Sequence, residues 1–124
     1  MRIVLADRES DLMEVLWEHG PSTVAEVREQ LSVDLAYTTV LTILRNLEGK
    51  GYVGHKEEGR AHRYVSLIAR GAAQRSAVQD LSARLFKGST ELLLTHLVSD
   101  QPLSEGAVRR IRRLLSEGGK KGKS

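Results

Sequence analysis

Hydroxyl and arginine side chains share one face of a segment near the middle of the chain. At about 100° per residue, the stretch 36–51 predicts an amphipathic helix. Its apolar face comprises Ala36, Val40, Ile43, Leu44 and Leu47, and the opposite face carries Thr38, Leu41, Thr42, Arg45 and Gly49. Hydroxyls can donate to phosphate oxygens or base edges, and arginine can bind guanine O6 and N7 in a bidentate fork. This acid-free face suits a nucleic acid, although a polar face that merely meets water is the alternative for an isolated helix.

The next segment predicts a β-hairpin. Two short runs with β-branched and aromatic residues, 52–57 and 60–65, flank Glu58-Gly59, which indicates a turn whose register stays open. Gly51 is placed to cap the preceding helix in a left-handed conformation, with Lys50 against the negative end of the helix dipole. Basic residues fall at the hairpin tip: Lys56, Arg60 and Arg63. Helix, cap and hairpin together predict a recognition helix followed by a wing.

Two shorter helices upstream complete the predicted unit. The first follows Asp7, a candidate N-cap, and ends at 19–21; its apolar residues are Leu12, Met13, Val15, Leu16 and Trp17. We interpret Trp17 as a core anchor rather than a ligand-stacking residue. Residues 23–26 form a capping box, after which Val24, Val27 and Leu31 make an inward stripe. A short connection, 32–35, leads to the recognition helix, which is the helix-turn-helix arrangement.

Composition excludes several classes of protein. The 124 residues include no cysteine, so a disulfide framework, an iron–sulfur cluster and a thiolate metal sensor are excluded. No apolar run is long enough to span a bilayer and no signal-peptide pattern is present, so we expect a cytoplasmic protein without direct membrane binding. No Ser/His/Asp set, phosphate-cradling glycine loop or acid pair stands out. We therefore expect no enzyme, no catalytic residues and no cofactor.

Charge is unevenly distributed along the chain. The formal net charge is +3 and the pI about 9.4, but residues 1–68 hold eight bases against eleven acids, so +6 lies beyond them. The helix-to-wing segment, 36–65, reverses the local balance with five bases and three acids. Such segregation fits a module that presents one face to DNA and the other to solvent.

Two histidines raise the question of metal binding. If Glu58-Gly59 is a two-residue turn, His55 and His62 lie opposite each other on the hairpin. Two histidines without a third ligand make a poor zinc site. We therefore predict no metal site, and a ligand- or metal-responsive regulator is only an alternative.

The C-terminal part predicts three more helices with apolar faces, over 71–87, 91–98 and from Ser104 onward. With almost no aromatic residues they make a poor core alone, and a second copy would complete it. We predict a dimerisation domain with these contact residues: Val78, Leu81, Leu85, Leu93, Leu97, Val108, Ile111 and Leu115. A monomer whose helices fold back over the first domain is the alternative. Arg109, Arg110, Arg112 and Arg113 point outward, and we interpret them as a solvated face, with intersubunit ion pairs as an option, rather than as a second DNA site.

The predicted organisation is mainly α with a small β-hairpin. It comprises a winged-helix DNA-binding domain at 1–69, a helical dimerisation domain at 70–118, and a disordered basic tail at 119–124 that could add nonspecific affinity.

Several motifs resemble one family over nearly the whole chain. Residues 5–9 with Leu16-Trp17 resemble the opening of the penicillinase and methicillin-resistance repressors (BlaI/MecI), and the stretches 36–40, 58–61, 97–98 and 103–104 continue the resemblance. It implies a homodimeric winged-helix repressor on a palindromic operator of β-lactam-resistance or related genes. It also implies that the repressor leaves its operator when a membrane sensor-protease pathway triggers proteolysis of the C-terminal domain.

The resemblance and the pattern together define candidate DNA contacts. Thr38, Thr39 and Thr42 match DNA-facing positions of the family's recognition helix, and Arg60 matches its wing. The full predicted set is Thr38, Thr39, Thr42, Arg45, Asn46, Arg60 and Arg63, in which either Arg45 or Asn46 reads bases. A winged helix that serves as a protein–protein adaptor is the competing hypothesis.

The chain departs from the family pattern in two places. In the best-known members the cleaved bond joins Asn to Phe, whereas this chain has His96-Leu97 there. His96 and Leu97 are thus the candidate proteolytic site, unless induction follows another route. The cysteine-rich tail of copper-responsive relatives is absent, which excludes that mode.

Overall fold

The computed structural model describes residues 1–121, with side-chain surroundings through residue 118. The elements in chain order are α1 (Asp7–His19), β1 (Ser22–Thr23), α2 (Val24–Gln30), α3 (Tyr37–Gly49), β2 (Val53–Glu58), β3 (Ala61–Ser66), α4 (Arg70–Leu85), α5 (Thr90–Asp100) and α6 (Glu105–Lys121). The predicted fold class, mainly α with a small β-hairpin, is confirmed. Backbone contacts divide the chain into Met1–Asp80, here the winged-helix unit, and Leu81–Ser124, here the C-terminal unit.

Capping residues set the starts of the first two helices. The predicted box at α2 is present: the Glu26 N–H donates to the Thr23 hydroxyl at 3.2 Å, and the Thr23 N–H donates to the Glu26 carboxylate at 2.9 Å. At α1 the predicted cap is wrong by one residue. Ala6 is the N-cap, and its N–H donates to the Glu9 carboxylate at 2.9 Å. This hydrogen bond satisfies the backbone at the start of the helix, where the alanine side chain can form none.

The end of α3 is a Schellman motif. The Gly51 N–H donates to the Glu48 carbonyl, and the Tyr52 N–H donates to the Leu47 carbonyl, both at 3.0 Å. Gly51 has φ +84°, the left-handed conformation predicted for it. The motif turns the chain directly from the recognition helix into β2.

The sheet has three antiparallel strands in the order β1-β3-β2. The β2–β3 pairing sets Glu58 opposite Ala61, so the turn residues are Gly59 and Arg60 instead of the predicted Glu58-Gly59. Gly59, at φ +63°, occupies the first of the two turn positions and not the second, and a positive φ at the first position is typical of a type II′ turn. The two-residue β1, which the sequence pattern does not predict, pairs with β3 at Tyr64 and Arg63.

One apolar core joins the helices and the sheet of the winged-helix unit. Its fully buried side chains are Leu12, Met13, Val27, Val40, Leu44, Leu47, Val53 and Tyr64. Trp17 packs against this core, as predicted, and its Nε1–H donates to the Ile68 carbonyl at 2.9 Å. The core therefore fixes the inner face of α3 and leaves the outer face free.

The boundary between the units lies within α4 and not before it at residue 70. Ser76 is buried; its hydroxyl accepts from the Ile3 N–H at 2.7 Å and donates to the Ile3 carbonyl at 3.2 Å. Arg2 pairs with Asp80 at 3.0 Å, and Ala73 joins the core. The first part of α4 thus completes the winged-helix unit, which the apolar pattern of the helix does not reveal.

The C-terminal unit leaves large apolar side chains exposed. In the described chain, Leu93 is buried at 8% exposure, but Leu85, Leu97, Leu114 and Leu115 are 59–71% exposed. Helix α6 continues through Lys121, beyond the predicted start of the basic tail at residue 119, and residues 122–124 lie outside the described part. Within that part, no helix combines the length and apolar character needed to cross a membrane.

Candidate nucleic-acid interface

The outer face of α3 is open and carries the predicted contact residues. Thr38, Thr39, Thr42, Arg45 and Asn46 are all exposed. The Thr42 hydroxyl donates to the Thr38 carbonyl one turn earlier, at 2.9 Å, which fixes its rotamer and leaves its lone pairs available. The structure therefore brings five of the seven predicted contact residues onto one helix.

The inner face of α3 differs from the prediction at one end. Val40, Leu44 and Leu47 are fully buried and Ile43 is partly buried. Ala36, predicted on the apolar face, is instead the exposed N-cap with extended backbone. The helix begins one residue later, so position 36 leaves the helical periodicity.

Arg60 lies at the tip of the wing. It occupies the two-residue turn beside Gly59 and is exposed, as is Lys56 on β2. These are side chains that can reach a phosphate without disturbing the hairpin.

Arg63 lies within β3, away from the tip of the wing, and forms ion pairs with two carboxylates. Its guanidinium donates to Glu58 on β2, to Glu26 on α2 at 3.0 Å, and to the Pro21 carbonyl at 3.1 Å. The hydrogen bond from Arg63 lowers the pKa of the Glu58 carboxyl, and the pKa of Arg63 is raised chiefly by the same bond. This cluster, the Arg63 clamp, ties the wing to the helix-turn-helix.

A second contact ties the wing to the recognition helix. His55 Nδ1 lies 2.6 Å from a Glu48 carboxylate oxygen on α3. His55 pairs with Tyr64 across the strands instead of with His62 as predicted, yet the two imidazoles stack diagonally with centroids 4.4 Å apart. Burial, and secondarily the charge of Glu48, raises the pKa of the Tyr64 hydroxyl. Within the described residues, no group of three or more metal-ligating side chains occurs.

Sequence reasoning missed the acids that organise this site. Glu9 is 7% exposed and pairs with Lys50 Nζ at 2.6 Å, which joins the start of α1 to the end of α3. The sequence pattern assigns Lys50 to the helix dipole alone. The only local signal is that Glu9, like Glu26, stands three residues after a helix cap.

The predicted C-terminal contact residues fall into two groups. Val78, Leu85, Leu97 and Leu115 are more than half exposed, whereas Leu81, Val108 and Ile111 are partly buried and Leu93 is buried. Leu81, Leu85, Leu93, Leu97 and Ile111 line one open groove of about 570 Å³ within the C-terminal unit. The candidate cleavage residues His96 and Leu97 are exposed on α5, with the His96 ring edge-on to Phe86 at 5.4 Å.

Comparison with known proteins identifies the family. Residues 5–117 match the model of the penicillinase repressor family. The chain belongs to this family. It is 37% identical over 117 residues to the transcriptional regulator BlaI of Mycobacterium tuberculosis, an alignment that covers 91% of this chain and 83% of that protein.

One solved structure supports this family assignment, and a second shares only the fold. The solution structure of the DNA-binding domain of the repressor BlaI matches with 31% identity and a TM-score of 0.50, and the match covers 56% of this chain and 90% of that one. A MarR family protein from Bacillus stearothermophilus, 16% identical, shares the fold with a TM-score of 0.53 over 98% of this chain and 78% of that one. This member of the penicillinase repressor family is therefore a winged-helix, DNA-binding transcriptional repressor and not an enzyme.

Proposed function

We propose that the repressor binds a palindromic operator as a homodimer, with one winged helix on each half-site. The main support for this proposal is the exposed face of α3, which presents hydroxyl and arginine side chains beside a wing with Arg60 in its turn. The half-sites would be spaced by about one helical turn, roughly 10 base pairs, or a multiple of it. The target genes would be those of β-lactam resistance or related functions, as in the family.

Dimerisation is supported by the unfinished core of the C-terminal unit. The leucines that are 59–71% exposed in one chain would be shielded from water if a second copy packed against them. Burial of apolar surface stabilises the buried state by about 25 cal/mol per Å². Leu85 and Leu97 line one open apolar groove, and exposed apolar surface of this kind is typical of an interaction site. A second copy is the proposed occupant.

The DNA-contacting residues divide by chemistry. Arg45 or its neighbour Asn46 would read base edges, and Thr38 and Thr39 would contact phosphates or bases. Thr42, whose hydroxyl donates to the Thr38 carbonyl, would accept a hydrogen bond from a base edge. Arg60 would contact phosphate. Arg63 would act indirectly by positioning the wing, because its donors already face Glu26, Glu58 and Pro21.

Derepression would follow from separation of the C-terminal unit. Cleavage at His96-Leu97 by a pathway that begins with a membrane sensor would divide α5, and the dimer would lose its continuous contact surface. Both residues are exposed, which makes the bond reachable after local unwinding of the helix.

An anisotropy titration against the promoter of the chain's own operon tests the proposal. We expect two chains per operator and a preference of at least about 10³-fold over a shuffled duplex at physiological salt. Arg45→Ala should relax the base preference and cost about 1–3 kcal/mol of operator binding. Arg60→Ala should weaken binding to duplexes of every sequence by the same factor and reduce the salt dependence of the affinity. An absence of preference over the shuffled duplex would contradict the repressor hypothesis and favour the protein–protein adaptor.

A further inference from the structure

Helix α6 separates basic from apolar side chains around its axis. Arg109, Arg110, Arg112 and Arg113 are exposed, whereas Val108 and Ile111 are partly buried on the other side. At 100° per residue, Arg109, Arg112 and Arg113 fall within about 100° of one another. The arginine face of α6, defined by Arg109, Arg110, Arg112 and Arg113, is therefore a dense cationic stripe.

The four arginines of this stripe form no ion pair with the described carboxylates. Arg109 and Arg113 stand four residues apart, a spacing at which like charges destabilise a helix by about 0.2–0.5 kcal/mol per pair. Glu105, four residues before Arg109, and Glu117, four residues after Arg113, stand at the spacing that offsets this repulsion, but the four arginines still outnumber the two acids on this face.

The two units differ in net charge in a way that bears on DNA. The winged-helix unit holds ten basic and twelve acidic residues, a net charge of −2, while residues 81–124 hold nine and four, a net charge of +5. Phosphate contacts supply most of the sequence-independent affinity of DNA-binding proteins, through release of counterions. The winged-helix unit therefore attracts DNA through the local bases of its helix-to-wing segment and not through its net charge, and the positive charge of the C-terminal unit would add to that general attraction.

We propose that the arginine face of α6 binds the phosphate backbone of duplex DNA without sequence preference. The inference rests on the proposed function, because it assigns a second surface to the same ligand. Guanidinium groups suit phosphate oxygens, which they bind with two parallel hydrogen bonds. The winged helix selects the operator, and α6 raises the affinity for all duplexes by the same factor.

The salt dependence of DNA binding by the full chain tests this assignment. The double variant Arg109→Gln/Arg113→Gln is compared with the matched control Arg84→Gln/Lys87→Gln, which removes two exposed charges of the same unit outside α6. Association constants are measured for operator and shuffled duplexes at several salt concentrations. The slope of log K against log salt should become shallower by about 0.9 for each phosphate that the protein no longer neutralises. We therefore expect the α6 variant to reduce the slope by about 2 per chain.

The outcomes separate the inference from the proposed function. We expect the α6 variant to weaken binding to both duplexes equally, with the operator preference, the helical circular dichroism and the sedimentation coefficient unchanged. Slopes equal to those of the control would overturn the inference, even if the operator preference is intact. A smaller sedimentation coefficient at an unchanged slope would also overturn it, because the arginines would then belong to the subunit interface. Binding to vesicles containing phosphatidylserine at an unchanged DNA slope would overturn it in favour of a membrane surface. If the wild-type chain shows no operator preference but α6 controls the slope, the proposed function fails and this inference stands.

Discussion

We predict that replacing Leu97 with glutamate will separate DNA recognition from the proposed dimerisation in a single substitution. Leu97 lies on α5, is 59% exposed in one chain and lines the apolar groove of the C-terminal unit. A carboxylate at that position stays in water in the monomer, so the stability of the chain should change by no more than about 0.5 kcal/mol. In a dimer the same carboxylate would be buried twice, once in each subunit, at a cost of several kcal/mol per charge.

The loss of operator affinity can be estimated from the coupling between two winged helices. Linking two binding modules raises the apparent affinity by about 10²–10⁴. Since each tenfold change equals about 1.4 kcal/mol, Leu97→Glu should cost about 3–6 kcal/mol of operator binding. The base preference of a single winged helix should be retained, because Leu97 lies outside the winged-helix unit.

Sedimentation velocity and operator titration measure the two effects on the same samples. Thr95→Glu is the matched control, because it places the same carboxylate on α5 at an exposed position about 160° around the helix from Leu97. We expect the control to remain a dimer with wild-type affinity. A monomeric Leu97→Glu chain with undiminished operator affinity would refute the coupling, and a fully dimeric variant would refute the assigned interface.

Three further predictions concern the winged-helix unit. Ser76→Ala should lower the free energy of unfolding by about 1–3 kcal/mol in urea titrations, because it leaves the buried Ile3 N–H without its acceptor; a decrease under about 0.5 kcal/mol would contradict this. Arg63→Ala should speed amide hydrogen exchange in the β2–β3 hairpin and weaken binding to operator and shuffled duplexes by the same factor. If the amides of the hairpin keep their wild-type protection, Arg63 contacts DNA directly instead. Burial alone would raise the pKa of Glu9, but its hydrogen bond from Lys50 and its other contacts lower the pKa overall. The stabilisation by Glu9 should therefore be present above its unfolded pKa of about 4.5 and be lost as pH falls through the lower folded value. In Lys50→Met the burial effect should dominate and the sign of this pH dependence should reverse, which urea unfolding at about pH 4 and pH 7 would detect.

Local patterns are sufficient to predict the three helices and the hairpin of the winged helix, although not strand β1. The 3.6-residue periodicity of 37–49, the Thr23–Glu26 capping box and the left-handed Gly51 each depend on interactions between residues that are close in sequence. The same is true of the order helix, helix, helix and wing, and of the exposed threonines and Arg45 on α3. The family resemblance adds the functional class to this framework, and the family match confirms it.

Contacts between distant residues cannot be predicted in this way. Arg63 has the sequence context of a DNA contact, yet Glu26, 37 positions earlier, and Glu58 form its clamp. No periodicity indicates that Ser76 binds the backbone of Ile3, 73 positions away, so the sequence pattern places the boundary of the unit too early.

The sequence by itself therefore determined which residues form helices, which face of α3 is apolar, and which family the chain resembles. These properties depend on backbone propensity and on side chains within one or two turns. Tertiary structure alone decided which cations are free for DNA and which are already paired, because an ion pair depends on where the fold brings the carboxylates. Arg60 and Arg63 lie three residues apart on the same wing, and only the folded chain distinguishes the exposed tip from the Arg63 clamp.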